Sequence, residues 1–141
     1  MSTAVNPDTG DGFDAPIPGQ AYAAAPDLLQ EMHDVMALGA DRDARRRGVL
    51  TVPPPADSAL TERIYLLRRA ALLDRMAIDD PAHGTRGFAN KAAFRLAAFD
   101  RDNPRLVAGP HGPMSIEFDP GQRPYVRQEY AAWTAAGQPG P

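Results

Sequence analysis

Residues 58–78 read SALTERIYLLRRAALLDRMAI and give the clearest secondary-structure signal in the chain. Its apolar residues recur every three or four positions, which is the spacing of one face of an α-helix. Asp57 or Ser58 can cap the first free N–H groups, and the residue before Pro81 is biased away from the helical conformation. The sequence therefore predicts a helix over 58–78.

This helix carries an unusually wide apolar surface, because two apolar rows lie side by side. Polar residues are confined to a narrow strip, so the helix is either central or packed on two partners. Surplus apolar surface is typical of an interface with another chain. We therefore expect a protein partner or self-association as a homodimer, through a set of apolar side chains: Leu66, Leu67, Ala70, Leu73 and Ala77.

Three further helices are predicted around this one. The first covers 26–38, where Pro26 suits the first turn and Gly39 supplies a stop. The second covers about 88–99, with apolar residues at helical spacing and several alanines that permit close helix contact. The third starts at Pro124 and continues through YVRQEYAAWTAA.

A short β-hairpin is predicted over 105–118. The segments RLVA and MSIEF flank AGPHGP, and the second segment alternates apolar and polar residues at Met114, Ile116 and Phe118. Strict alternation is typical of a strand with one buried face. Pro110 and Pro113 require a loop of more than two residues between the strands.

These elements predict a mainly α fold with one short hairpin, a small α+β domain with three to four helices. Residues 1–25 are expected to be a disordered acidic head, since proline, glycine and aspartate outnumber large apolar groups. Residues 26–57 combine the first helix with an Arg-rich and then a Pro-rich connector. The compact helical domain spans 58–136 and a tail spans 137–141.

Composition excludes several classes of function. The 141 residues include no cysteine, which excludes disulfides, thiolate nucleophiles and Cys-ligated metals. Neither a signal peptide nor an apolar run of membrane-spanning length is recognisable. We expect a cytoplasmic, bacterial protein with no cofactor, no metal and no membrane contact. The weak enzymatic alternative combines His83 with Asp79 or Asp80, a spacing that fits no known ligand pattern.

Charge is distributed unevenly along the chain, although the net charge is only −3. Residues 1–41 hold six Asp and one Glu with no Lys or Arg, whereas residues 42–105 hold thirteen basic and eight acidic residues. A DNA-binding regulator resembling part of a winged-helix module is the alternative function. Its phosphate contacts would come from the Arg-rich segments: Arg45, Arg46, Arg47, Arg68, Arg69 and Arg75.

Two weaker binding patterns remain. Thr85, Arg86 and Lys91 lie at the start of a predicted helix, where free N–H groups can hold an anion, although a simple N-cap explains Thr85 as well. The aromatic residues of the second half could form a recognition patch or hold a thin core together. No catalytic residue is predicted, and the favoured function is a non-catalytic interaction or regulatory protein that acts through helix 58–78. The aromatic residues are Phe88, Phe94, Phe99, Phe118, Tyr125, Tyr130 and Trp133.

Overall fold

The computed structural model describes residues 4–48, 57–81 and 84–140. Within these ranges the chain is all-helical, so the predicted α+β class is wrong. None of the described helices combines the length and the apolar character needed to cross a membrane. The helices are α1 (Pro18–Ala21), α2 (Leu28–Arg46), α3 (Ser58–Asp79), α4 (Thr85–Asp102) and α5 (Arg123–Ala135), with short 3-10 helices at Pro104–Leu106 and Ile116–Phe118.

The predicted central helix is confirmed as α3. Asp57 is its N-cap, and the carboxylate of Asp57 accepts a hydrogen bond from the N–H of Leu60 at 3.0 Å. α3 packs against α2, α4 and α5. Ala70, Ala71 and Ala93 are completely buried at this core. Side chains this small let the helix backbones approach closely, as the sequence indicated.

α2 continues well beyond the predicted stop at Gly39. A Cβ atom at Gly39 would lie 3.2 Å from the ring of Tyr65 on α3, so the glycine permits close contact between the two helices. The Arg42 guanidinium stacks over the same ring, 5.2 Å from its centre, and pairs with Glu62. These contacts along the second half of α2 stabilise a helix that glycine alone would weaken.

α5 is the most enclosed element, since every residue from 121 to 130 is buried. It contacts α1, α3, α4 and the Ile116–Phe118 turn. Several of its buried residues are polar or charged, which is unusual for a helix that contributes to a core. Those charged side chains build much of the site described below.

The predicted hairpin over 105–118 is wrong. Met114 has a φ of 64°, a left-handed conformation that interrupts any extended segment. Ile116 is 81% exposed while Phe118 is fully buried, so the alternating residues do not share one face. Backbone groups of this loop bond to side chains of Gln122, just before α5, and of Gln128 and Glu129 within it, and not to a second strand. Glu129 accepts hydrogen bonds from the N–H groups of Ala108 and Gly109. Gln128 bonds to the backbone N–H and carbonyl of His111, and Gln122 bonds to the backbone of Met114 and Ser115.

The prediction of a disordered head is also wrong for residues 4–25. Asn6 closes a turn by accepting hydrogen bonds from the N–H groups of Asp8 and Thr9 at 2.9 and 3.3 Å. Phe13 and Tyr22 pack against the core further along. Long-range ion pairs and these apolar contacts supply the stabilisation that local composition lacks. The Pro-rich part of the connector, residues 49–56, lies outside the described residues.

Candidate functional site

The apolar residues predicted to bind a partner lie in the interior of the chain itself. Leu66, Leu67, Ala70 and Ala77 are at most 4% exposed, and Leu73 is partly buried against the same core. α2, α4 and α5 surround α3 and cover these side chains. Their apolar surface is therefore used within one chain, and a partner surface has to be sought elsewhere.

Arginines predicted to contact DNA are largely engaged by the protein itself. Arg46 pairs with Glu62 at 2.9 Å, and Arg68 pairs with Glu31 at 2.6 Å. Glu31 and Arg46 are separated by about 22 Å along the axis of α2 at the normal helical rise, so the two ion pairs lie at opposite ends of that helix. Arg47 bonds to the backbone of Asp43, and Arg75 stacks over the ring of Tyr22. Arg45 is exposed but also interacts with another group of the protein, and Arg69 is partly buried on α3.

The predicted anion-binding residues do not converge on one point. Thr85 is the first residue of α4, and its N-cap is Gly84, whose φ is 79°. Arg86 binds the carboxylate of Asp8 at 2.5 Å. Lys91 lies about 140° around the helix axis from Arg86. Among the predicted enzymatic residues, Asp79 and Asp80 are exposed and His83 lies outside the described residues.

One face of α4 combines exposed aromatic and cationic side chains. Phe88 is 60% exposed and Phe94 is 52% exposed, although both are large apolar residues. Lys91 and Arg95 are exposed as well. At 3.6 residues per turn, these four residues occupy an arc of roughly 120° and about 10 Å of helix length. We call them the α4 face.

The two cations of the α4 face have no carboxylate partner within the described parts of the chain. Arg86 and Arg101, their neighbours along the same helix, pair with Asp8 and Asp102. Lys91 and Arg95 thus keep their charge beside two exposed aromatic rings. This combination is suited to a partner surface that is apolar and acidic.

A second cluster lies inside the protein and is called here the Asp74 cluster: Asp74, Arg123, Arg127, Tyr22 and Asp8. The carboxylate of Asp74 is fully buried and accepts hydrogen bonds from Arg123 Nε at 2.6 Å and Arg127 Nε at 2.9 Å. Tyr22 donates its hydroxyl proton to Asp74 at 2.5 Å. Burial, together with the charge of Asp74, raises the pKa of Tyr22 well above its usual value.

The head completes the Asp74 cluster from outside. Asp8 accepts a hydrogen bond from Arg123 Nη1 at 2.6 Å, and the carbonyl of Pro7 accepts one from Arg127. Two nitrogen atoms of these guanidinium groups, Arg123 Nη2 and Arg127 Nη1, are buried without a hydrogen-bond partner among the described atoms. Buried donors without partners are costly, so this cluster is incompletely satisfied.

The third group, the Arg63 cluster, joins α3, α4 and α5. Arg63 binds Asp100 through two hydrogen bonds of 2.8 Å and Glu129 through one of 2.7 Å. Tyr125 donates its hydroxyl proton to Asp100 at 2.6 Å. Burial lowers the pKa of Arg63, but its bonds to the two carboxylates outweigh that effect and hold the pKa above the usual value. None of its described buried side-chain nitrogen or oxygen atoms lacks a hydrogen-bond partner, and its bonds connect the three helices.

Both buried clusters are marked in the sequence by an aspartate within an apolar helical row, a signal that the predictions above overlook. Asp100 falls in the apolar helical row formed by Ala89, Ala93 and Leu96, and Asp74 follows Ala70 and Ala71 in the same way. A carboxylate within an apolar row predicts a buried, paired charge. The positions of the partners, Arg123 and Glu129, follow only from tertiary contacts.

A shallow cavity of about 550 Å³ separates the head from residues 108–110. Its polar lining comes from Asp14, Gln20 and Gln128. His111 reaches Asp14 at 2.8 Å from the neighbouring loop. Neither here nor in any other part of the described ranges is a group of three or more acidic or histidine side chains arranged to hold a metal ion.

Comparison of the chain with protein-family models, with curated proteins and with solved structures finds no match in any of the three.

Proposed function

We propose that this chain is a small, non-catalytic interaction protein of the cytoplasm that binds an acidic protein partner through the α4 face. The observation that carries the proposal is the pair of exposed phenylalanines, Phe88 and Phe94, with Lys91 and Arg95 exposed on the same face of the helix. A cytoplasmic location fits a chain with no cysteine, because disulfides belong to oxidising compartments.

A partner that covers the α4 face would bury two large aromatic side chains that are now exposed to solvent. Complete burial of a phenylalanine side chain contributes about 1.5–3 kcal/mol, and both rings have more than half of that area still exposed. Aromatic residues and arginine are enriched at the centres of protein interfaces. Lys91 and Arg95 would add charge complementarity to an acidic partner, which favours rapid and specific association.

The test compares capture of partners by the wild-type chain with capture by Phe88→Ser/Phe94→Ser. A matched control is Leu29→Ser/Met36→Ser, since those residues of α2 are 77% and 69% exposed. We expect the α4 variant to lose an acidic partner that the α2 variant retains, with both variants folded. Equal capture by both variants would exclude the α4 face as the binding surface.

Two further measurements separate the alternatives. Size-exclusion chromatography with light scattering identifies a second copy of the chain as the partner if a dimer dissociates in the α4 variant. A DNA retardation assay at two salt concentrations tests the DNA-binding regulator. Salt-sensitive binding that survives loss of the α4 face and depends on Arg45 and Arg47 would favour that function instead.

A further inference from the structure

We propose that Arg123 and Arg127 form a binding site for a phosphate group, and that Asp8 of the chain's own head occupies this site in the structure. The inference goes beyond the α4 face and does not depend on it. It rests on the charges, the unpaired donors and the position of the head at the Asp74 cluster.

Charge is unbalanced in the cluster without the head. Arg123 and Arg127 are at most 1% exposed, and Asp74 is the one carboxylate that faces both of them from α3. Two guanidinium groups against one carboxylate leave a net charge of +1 in a buried position, which is costly unless an anion compensates it. Asp8 supplies that anion, and the exposed Arg86 binds the same carboxylate from the other side.

Asp8 does not use all the donors that the site offers. Its two carboxylate oxygens bond to Arg123 Nη1 and Arg86 Nη2, while Arg123 Nη2 and Arg127 Nη1 stay buried without a partner in the described structure. A phosphate carries more acceptor oxygens and more negative charge than a carboxylate. Paired arginines are also the preferred side chains for phosphate recognition. A phosphate at the position of Asp8 therefore brings more acceptors and more negative charge to the two arginines than the Asp8 carboxylate does.

Asp8 also sits on a part of the head that can exchange with a ligand. Its side chain is 23% exposed, in contrast to the fully buried Asp74. The apolar contacts of the head to the core begin at Phe13 and continue at Ala15 and Tyr22. The turn around Asn6 and Asp8 can thus leave the site while the rest of the head stays anchored.

Titration of Asp8 agrees with this geometry. Burial alone would raise the pKa of Asp8, but hydrogen bonds from Arg123 and Arg86 outweigh it and hold the pKa below 3.8. Asp8 is therefore charged at neutral pH and competes with phosphate as an anion. Removal of its carboxylate should increase the apparent affinity for phosphate, because the competing internal anion is gone.

The experiment titrates inorganic phosphate into wild type, Asp8→Ala and Asp11→Ala at constant ionic strength, with acetate as the comparison anion. Asp11 is an exposed acid of the same turn, so its variant controls for loss of charge. We expect Asp8→Ala to bind phosphate at least about tenfold more tightly than the other two proteins, and acetate more weakly than phosphate. Equal phosphate affinity in all three proteins would overturn the proposal.

NMR signals of the arginine side chains locate the bound phosphate in Asp8→Ala. Shifts at Arg123 and Arg127 support the proposal, whereas shifts confined to surface arginines overturn it. If Asp8→Ala does not fold, hydrogen exchange of the wild-type chain replaces the titration. Phosphate should then accelerate exchange of the amides in residues 4–12 relative to chloride, and unchanged or slower exchange overturns the proposal.

Discussion

Oε1 of Glu129 lies 2.7 Å from Nη2 of Arg63, and neither side chain is more than 8% exposed. The same carboxylate accepts hydrogen bonds from the backbone N–H groups of Ala108 and Gly109 at 2.8 and 2.7 Å. One side chain of α5 thus connects α3 with the loop that follows α4.

Replacement of Glu129 by alanine should lower the free energy of unfolding by about 3–5 kcal/mol, because a buried arginine loses a partner and two backbone donors lose their acceptor. Chemical denaturation measures this change. Glu117→Ala is the control, since Glu117 is exposed, and it should change stability by at most about 0.5 kcal/mol. Similar losses in the two variants would contradict the observed pairing.

Gly109 should tolerate no side chain. A Cβ atom there would overlap the buried side chain of Gln128, which cannot move without losing its bonds to His111. We expect Gly109→Ala to cost about 1–3 kcal/mol, whereas Gly112→Ala, with nothing within 4 Å of the added atom, should cost less. In a Gln128→Ala background the cost of Gly109→Ala should largely disappear, and a double-mutant cycle measures that coupling.

The two apolar residues of the Ile116–Phe118 turn should differ sharply in their effect on stability. Phe118 is fully buried, so Phe118→Ala should cost about 3–5 kcal/mol. Ile116 is 81% exposed, so Ile116→Ala should change stability by at most about 0.5 kcal/mol. Thermal or chemical denaturation decides this. Comparable losses at both positions would indicate a strand with one buried face, contrary to the structure.

Alkaline pH should destabilise the protein through three tyrosines that lie in the core or against it. Burial raises the pKa of Tyr22, Tyr125 and Tyr130 above the ordinary value of 10.0, with further increases from Asp74, Asp100 and Glu31 respectively. Above pH 10 the unfolded chain loses these protons while the folded chain retains them, so the free energy of unfolding falls as pH rises. Below pH 10 the three groups are protonated in both states and contribute no pH dependence.

Denaturation curves at several alkaline pH values measure that slope, with tyrosinate absorbance as an independent signal. Tyr125→Phe removes one of the three groups and should make the slope shallower. An unchanged slope in Tyr125→Phe would show that the Tyr125 hydroxyl is not held as the structure describes, with its proton donated to Asp100 at 2.6 Å.

Helical periodicity was the sequence pattern that predicted secondary structure most accurately. It predicted α3 nearly to the residue, because a long amphipathic segment with Asp57 as a cap has few alternatives. Gly39 misled the prediction of α2, since its use for close contact with Tyr65 depends on a helix elsewhere in the chain. The hairpin was predicted wrongly for the same reason: the burial of Phe118 comes from packing against distant parts of the chain and not from strand pairing.

Long-range charge pairing was not predictable from local composition. Asp8 and Arg123 are 115 positions apart, and each has the local surroundings of an exposed residue in the sequence. The wide apolar arc of α3 predicts a partner surface, but its width matches the three helices of the same chain that cover it. Large apolar residues are still exposed on α4, at Phe88 and Phe94, and on α2, at Leu29 and Met36. Their exposure depends on tertiary packing, as does the burial of the apolar residues on α3.

The enclosed segment from 121 to 130 has a consequence for how the chain folds during translation. The ribosome releases α2, α3 and α4 before α5, so Asp74, Asp100 and Arg63 are synthesised before the residues of α5 that bond to them. Complete native packing of α2, α3 and α4 therefore requires α5, and a nascent chain that still lacks α5 exposes the core surface that α5 later covers.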